Sequence, residues 1–485
     1  MGSLISSEAA KQKDAAGQIF TLMYTVQLNL SSRLPNSPEN DMSAQTPTSE
    51  YLRNALAEAE ADYVRANPES EAQFRKAEHS LPAGNTRSSL FYGPFPLTMA
   101  RGEEASLWDL DGHKYLNFLS EFTSGIFGHS HPHIVAEMRA AIGDGLNLSS
   151  HTTGEANLAA AICDRFECFD KVRLTNSGTE ANIMAMVTAR VVTGRDKIVV
   201  FKGGYHGGPL TFVGGASVGN VPFDFLYGRY NDLEATLTTI NPHAEDIAAI
   251  VIEPVLGAGG CIPGDRAFLT GLQQWCHTKG ALLIVDEVQT ARHHAGGLQP
   301  VLGLKADLTT MGKFIGGCMP IGVFGGRADI MMRFDPRHPN TLAHAGTFNN
   351  NVMTMRAGLA GLTQVYTPDE AERLTALGDD FRNRLNTIAE VCGAPVHVTG
   401  VGSIMNIHTQ SGPITFAEQV AQENKELKDL LFFEFLAHGI YYAKRGLVAL
   451  NVCHTQVDLD RFADTFKRIL TKHAPLWREL EGQAA

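Results

Sequence analysis

A chain of 485 residues is too long for one simple core, so two domains, or one large domain carrying a smaller one, are expected. Its composition, 44% hydrophobic and 19% charged, is that of a globular protein, and its formal net charge of -12 disfavours a phosphate-backbone partner. No stretch reaches 18 apolar residues, so neither nucleic-acid binding nor a membrane span is expected.

Residues 1–48 read as a tail. The stretch 31–50 is rich in Ser, Pro, Asn and Thr and buries too little to offset the entropy of ordering. The run 19–30 is apolar and β-branched, which leaves organelle targeting open, although it lacks the Arg-rich character of a transit peptide. The start Met1-Gly2-Ser3-Leu4-Ile5-Ser6 fits a loose myristoylation pattern that chance often produces. Seven scattered cysteines without a C-x-x-C pair suggest free thiols in a reducing compartment, hence a cytoplasmic location.

From Glu50 the pattern turns helical, with Leu52, Leu56, Ala59 and Tyr63 at three- and four-residue spacing. Residues 108–118 alternate around Asp111-Gly112, which predicts a hairpin. A short strand over 172–175 leads into a helix opened by Ser177-Gly178-Thr179-Glu180. Compact apolar runs at 197–201, 247–252 and 282–285 predict strands buried on both faces of a parallel sheet. Strands alternating with helices indicate a doubly wound α/β domain. After about residue 360 long helices surround short strands, one of them at 402–407, as in a smaller α+β domain.

Four segments carry candidate chemistry. In Thr175-Asn176-Ser177-Gly178-Thr179-Glu180 a strand ends and a helix begins, and its free amides with two hydroxyls suit a phosphate. The same residues also make a capping box, with Ser177 as N-cap. Gly203-Gly204-Tyr205-His206-Gly207-Gly208 offers close backbone approach and a flat ring for stacking on a heteroaromatic ligand. Asp286 closes the run Leu282-Leu283-Ile284-Val285, where open α/β sheets bind ligands. An ionised carboxylate there can keep a pyridine nitrogen protonated, although a helix cap or an ion pair would also place an Asp there. Lys313 follows Asp286 by 27 residues, between Gly312 and Gly316-Gly317. Burial lowers a lysine pKa toward the neutral amine that Schiff-base chemistry needs.

In this order and with these local sequences, the chain resembles the class III (ω-) aminotransferases of pyridoxal-5′-phosphate (PLP) fold type I, from about Phe74 to Leu470. The turn Gly128-His129-Ser130-His131-Pro132 and the later Gly346-Thr347-Phe348 belong to the likeness. The resemblance implies a large, mostly parallel-sheet domain over 111–360. It also implies a small α+β domain built from the N-terminal segment 49–110 and the C-terminal segment 361–485. It makes Lys313 the Schiff-base lysine and Asp286 the partner of the pyridine nitrogen. Tyr205 would stack on the ring with Val288 on the other face, and Ser177, Gly178 and Thr179 would form the phosphate cup. Thr347 would reach the phosphate of the other subunit, so a homodimer with shared sites is expected. The histidines at 129, 131 and 133 invite a metal reading, but no Cys or carboxylate cluster supports one, and none is expected.

Three further segments, 86–95, 346–351 and 442–446, resemble the β-phenylalanine (β-amino acid) branch of that family. Transfer from an amino donor to a 2-oxo acid such as 2-oxoglutarate or pyruvate brings two carboxylates to one pocket, and a guanidinium offers each a bidentate fork. Arg87 and Arg445 are the candidates, with Leu90 and Phe91 near a donor's aromatic ring. Alternatives are a glutamate-1-semialdehyde aminomutase, an amine transaminase, and a PLP-fold protein that binds without catalysing. Gln289, Cys318 and His293-His294 depart from the β-phenylalanine pattern beside the cofactor loops, which leaves the donor open.

Overall fold

The strands Ile247–Ile252 and Leu282–Asp286 are buried at every position. Such strands persist only when both faces of the sheet are covered. In the computed structural model, which describes residues 49–146 and 148–477, they form the middle of a seven-stranded sheet. Its order is Lys171–Thr175, Gly322–Gly326, Leu308–Gly312, Leu282–Asp286, Ile247–Ile252, Lys197–Phe201, Asp224–Gly228. Gly322–Gly326 runs antiparallel to both neighbours, and the other pairs are parallel. This is the expected doubly wound, mostly parallel sheet.

Alternation along each strand divides the core. Ile250 and Ile252 join Leu283, Val285 and the helix Arg266–Lys279 in one apolar cluster. Ala249 and Val251 join Ile284, Leu308 and the helix Gly178–Thr193 in another.

The helix Glu50–Ala66 buries Leu52 and Tyr63, and the hairpin forms between Ser106–Asp109 and Lys114–Asn117. The hairpin belongs to a four-stranded sheet whose last member, Ile440–Tyr441, lies parallel to Lys114–Asn117. His397–Val401, Ile404–His408 and Leu447–Ala449 make a three-stranded sheet. The strand expected from Gly402 begins at Ile404, because Gly402 adopts a left-handed φ of 50° in the turn that closes this hairpin.

From Glu50 the described residues form one compact unit. The expected tail, its apolar run and the myristoylation pattern lie outside the described residues. Among the described residues no helix is long and apolar enough to cross a membrane, and no cluster of three His, Cys, Asp or Glu could hold a metal ion. All seven cysteines are free.

Candidate active site

The helix Gly178–Thr193 starts where the edge strand Lys171–Thr175 ends. Ser177 Oγ accepts the Glu180 amide at 3.1 Å, and Glu180 Oε2 accepts the Asn176 amide at 2.9 Å. The hydroxyl of Ser177 thus serves as the N-cap. The amides of Gly178 and Thr179 stand in the first turn, where no intrahelical acceptor exists, at the positive end of the dipole. Both residues line a cavity of about 180 Å³, together with Asn182, Tyr205, His206, Gly207, Glu253, Asp286, Val288, Gln289 and Lys313. Gly207, at φ 134°, lies so close to Thr179 that a Cβ would fall 2.3 Å from its Oγ1. Only glycine lets the Tyr205 loop close onto the cup.

Asp286 sits at the floor, 3% exposed. Its Oδ2 takes hydrogen bonds from Asn182 Nδ2 at 2.8 Å and lies 2.7 Å from His206 Nδ1, while Oδ1 accepts the Val288 amide at 2.9 Å. Thr310 Oγ1 fixes Asn182 by donating to its Oδ1 at 2.7 Å. Burial pushes the Asp286 pKa up, but the His206 hydrogen bond and charge, the Val288 amide and Lys313 outweigh it and hold the carboxyl below its usual range. Burial pulls His206 down, yet its hydrogen bond to Asp286 and the nearby carboxylates raise it overall. The two shifts have the same cause: each group favours the charged form of the other across the 2.7 Å contact.

Lys313 follows the strand Leu308–Gly312 at a left-handed φ of 53°. Such a backbone is strained for a side-chain-bearing residue and is found where surrounding structure enforces it. Burial lowers its pKa against the opposing pull of Asp286 and Glu253, and Arg445 and Arg292 push it further down. Glu253 lies on the same cavity. Burial raises it to about 7, while its oxygens accept the amides of Tyr205 (2.8 Å) and Gly257 (3.1 Å).

Arg87 and Arg445 lie outside the cavity lining but flank one ring. Their guanidinium carbons are 5.5 Å and 5.6 Å from the centre of Phe122. Arg445 donates to Ala258 O at 3.2 Å, and burial lowers its pKa. Phe122 belongs to Ser120-Glu121-Phe122-Thr123, four consecutive left-handed residues, each strained by roughly 1–2 kcal/mol. Clamps hold the turn: Ser120 Oγ donates to Ala449 O at 3.0 Å, and buried Arg292 donates to Thr123 O at 3.0 Å. Leu90 packs against the core, whereas Phe91 is 44% exposed. Thr347 is exposed and does not line this chain's cavity. Asn349 Oδ1 ties its loop to the cup by accepting from Asn176 Nδ2 at 3.0 Å.

Asn182, His206 and Glu253 line the wall without a role expected from the sequence. Glu253 was findable: it closes the buried strand Ile247–Ile252 as Asp286 closes its neighbour. Asn182 is a polar residue buried on a helix beside Ala181, Ala185, Met186 and Ala189.

The aminotransferase class-III family model matches residues 89–470. The chain is 47% identical to a β-phenylalanine transaminase of Variovorax paradoxus over 88% of this chain and 98% of the relative. The belonging is settled by that match. The chain belongs to the class-III aminotransferases. A crystal structure of the Variovorax β-phenylalanine aminotransferase superposes with a TM-score of 0.86, covering 88% of this chain and 99% of that one. An ω-transaminase from Sphaerobacter thermophilus follows at 33% identity and TM-score 0.78, covering 84% and 98%. A glutamate-1-semialdehyde aminomutase from Pseudomonas aeruginosa shares the fold at 22% identity and TM-score 0.79, covering 86% and 98%.

Class-III aminotransferases use PLP, and this chain is a PLP-dependent aminotransferase. The cavity fits that cofactor: a helix N-terminus for a dianionic phosphate, an aromatic and an apolar side chain for a flat ring, a buried carboxylate for a ring nitrogen, and one desolvated lysine.

Proposed function

We propose that this class-III aminotransferase moves the amino group of a β-amino acid, with an aromatic one such as β-phenylalanine as the model donor, to a 2-oxo acid such as 2-oxoglutarate or pyruvate. The observation that carries the reading is the placing of two guanidinium groups against one ring, Phe122. A β-amino acid holds its carboxylate one carbon further from the amine than an α-amino acid does. A single fixed arginine cannot serve both equally well while the amino group stays on the cofactor, whereas two arginines can. The 47% identity to a β-phenylalanine transaminase supports the same substrate class.

In this reading PLP, when bound, supplies the electron sink for the carbon that loses or gains the amino group. Lys313 holds the cofactor's aldehyde carbon and moves a proton at the donor carbon through its neutral amine. Asp286, kept ionised by His206 and Asn182, holds the proton on the ring nitrogen. The Gly178 and Thr179 amides bind the phosphate, with the capping Ser177 shaping that turn, and Tyr205 and Val288 supply the walls for the ring. Arg87 binds the β-amino-acid carboxylate, Arg445 the α-carboxylate of the oxo acid, and the donor's ring lies near Leu90 and Phe91.

We place the chain in the cytoplasm, in keeping with its seven free cysteines, and as a homodimer. The exposed Thr347 beside Phe348, which is 59% exposed, favours a loop completed by a second copy. We also assign residues 49–110 and 361–485 to a small domain and 111–360 to a large one. Packing of Tyr63 against Phe433, with ring centres 5.2 Å apart, supports the joining of the two end segments.

Stopped-flow measurement of the two half-reactions tests the substrate assignment. Arg87→Ala is expected to impair mainly the β-amino-acid half, and Arg445→Ala mainly the oxo-acid half. Each loses roughly 2–5 kcal/mol of binding, with exposed Arg87 at the lower end. Equal effects on both halves, or turnover of donors that ignores Arg87, would remove the division of labour.

A further inference from the structure

The two arginines at Phe122 differ in what they already hold. Arg445 is desolvated, donates to a backbone carbonyl, and has no carboxylate within ion-pair distance among the described residues. Arg87 is 43% exposed and its Nη1 is ion-paired to Glu121 Oε1. A free carboxylate entering the pocket meets one guanidinium lacking a counter-charge and one already neutralised. Desolvation strengthens the first interaction, while solvent and competition weaken the second.

Glu121 is not an ordinary surface glutamate. A flexible exposed acid loses side-chain entropy when it pairs and gains little from pairing. Here the backbone is fixed on both sides of it. Ser120, Glu121, Phe122 and Thr123 are all left-handed. Ser120 is held by Ala449 O, and Asn451 Nδ2 donates to its Oγ at 3.2 Å. Ser120 O accepts the Gly125 amide at 2.8 Å, and Arg292 reaches Thr123 O. The next side chain, Phe122, is the ring both guanidiniums flank. The turn therefore delivers an acid to one arginine and an aromatic face to both.

We propose that Glu121 is a specificity-determining residue: a built-in carboxylate that occupies Arg87 and that a donor's carboxylate must displace. The inference rests on the assignment of Arg87 to the donor. Its consequence is selectivity between the two half-reactions. A dicarboxylate acceptor such as 2-oxoglutarate, anchored at Arg445, carries a second carboxylate that an unpaired Arg87 would capture. Glu121 suppresses that capture at the expense of weaker donor binding. A monocarboxylate donor with an aromatic ring regains the loss through the ring.

The test uses the PLP-loaded enzyme and 3-phenylpropanoate, which has the ring and carboxylate of β-phenylalanine but no amine and so cannot react. Calorimetry gives its Kd for the unaltered enzyme, Glu121→Gln, Arg87→Ala and the double variant. Glu121→Gln is expected to tighten binding about two- to fivefold, the reach of an exposed ion pair. The gain should vanish in the Arg87→Ala background, which a merely structural role for Glu121 would not produce. Substrate inhibition by 2-oxoglutarate should set in at lower concentration in Glu121→Gln. If Arg87→Ala weakens 3-phenylpropanoate while Glu121→Gln leaves it unchanged or weaker, the inference about Glu121 is overturned and the assignment of Arg87 stands. If Arg87→Ala itself has no effect on the probe, the assignment of Arg87 fails and the inference with it.

Discussion

Lys313→Ala is expected to abolish measurable transamination while the protein still folds and binds cofactor. Proton transfer by a positioned base is worth roughly 10²–10⁴-fold in rate, and the same amine is assigned the covalent capture of the cofactor, so the two losses compound. Among the described residues no other lysine lines the cavity to replace it. The lysine's local backbone is strained at φ 53°, and burial keeps its amine toward the neutral form. Yellow holoenzyme treated with borohydride should carry its label on the peptide containing Lys313. A label on another lysine, or a variant with residual turnover near the unaltered rate, would remove Lys313 from its role.

Asp286→Asn is expected to slow both half-reactions on the order of a thousandfold, about 4 kcal/mol of transition-state stabilisation. The substitution keeps the size and the neighbours of the carboxylate, so shape alone should change little. What it removes is the charge that His206, Asn182 and the Val288 amide hold in the ionised form. An amide cannot keep a ring nitrogen protonated from a buried site, and its own N–H would face donors already aimed at that position. The pH dependence follows the sign of the shift. The Asp286 pKa is held below its usual range, so the electron-sink role persists down through mildly acidic pH and is lost only as pH falls through that lowered value. Single-turnover rates of the holoenzyme decide it, and near-normal rates for Asp286→Asn would be incompatible with the role.

Much of this site was legible in the sequence because each part is announced locally. The cup is a strand end, a small-residue turn and a helix start. The acid follows a run of four apolar residues, and the lysine stands among glycines. These signals depend on neighbours within a few positions, and the sheet puts them side by side at its carboxyl edge. Partnerships across the chain were not announced. His206 was quoted beside Tyr205 without a role, since only folding brings it 2.7 Å from Asp286. Arg292 carries no local signal of its role, and the structure makes it a clamp on Thr123. The left-handed turn at 120–123 contains no glycine, so composition gave no sign of it. Glu121 and Phe122 were invisible for the same reason. Thr347 is in a different class, because an exposed residue acquires its assigned role only from a second copy.

The parallel pairing of Ile440–Tyr441 with Lys114–Asn117 also bears on how the enzyme comes into being. Ile440 faces Leu116 across more than 300 residues of intervening sequence. During synthesis the whole seven-stranded sheet, with its cup, acid and lysine, emerges before this strand exists. The four-stranded sheet must wait with one edge open, and the turn that follows Asn117 must wait for Ala449 and Asn451 to pin Ser120. Arg445 arrives in the same late segment. Contacts of such long sequence separation form slowly, because loop closure must precede them. A nascent chain can therefore assemble the cavity wall well before Arg445 and the residues that pin the turn at 120–123 exist, and the segment from Ile440 to Asn451 completes that side of the molecule.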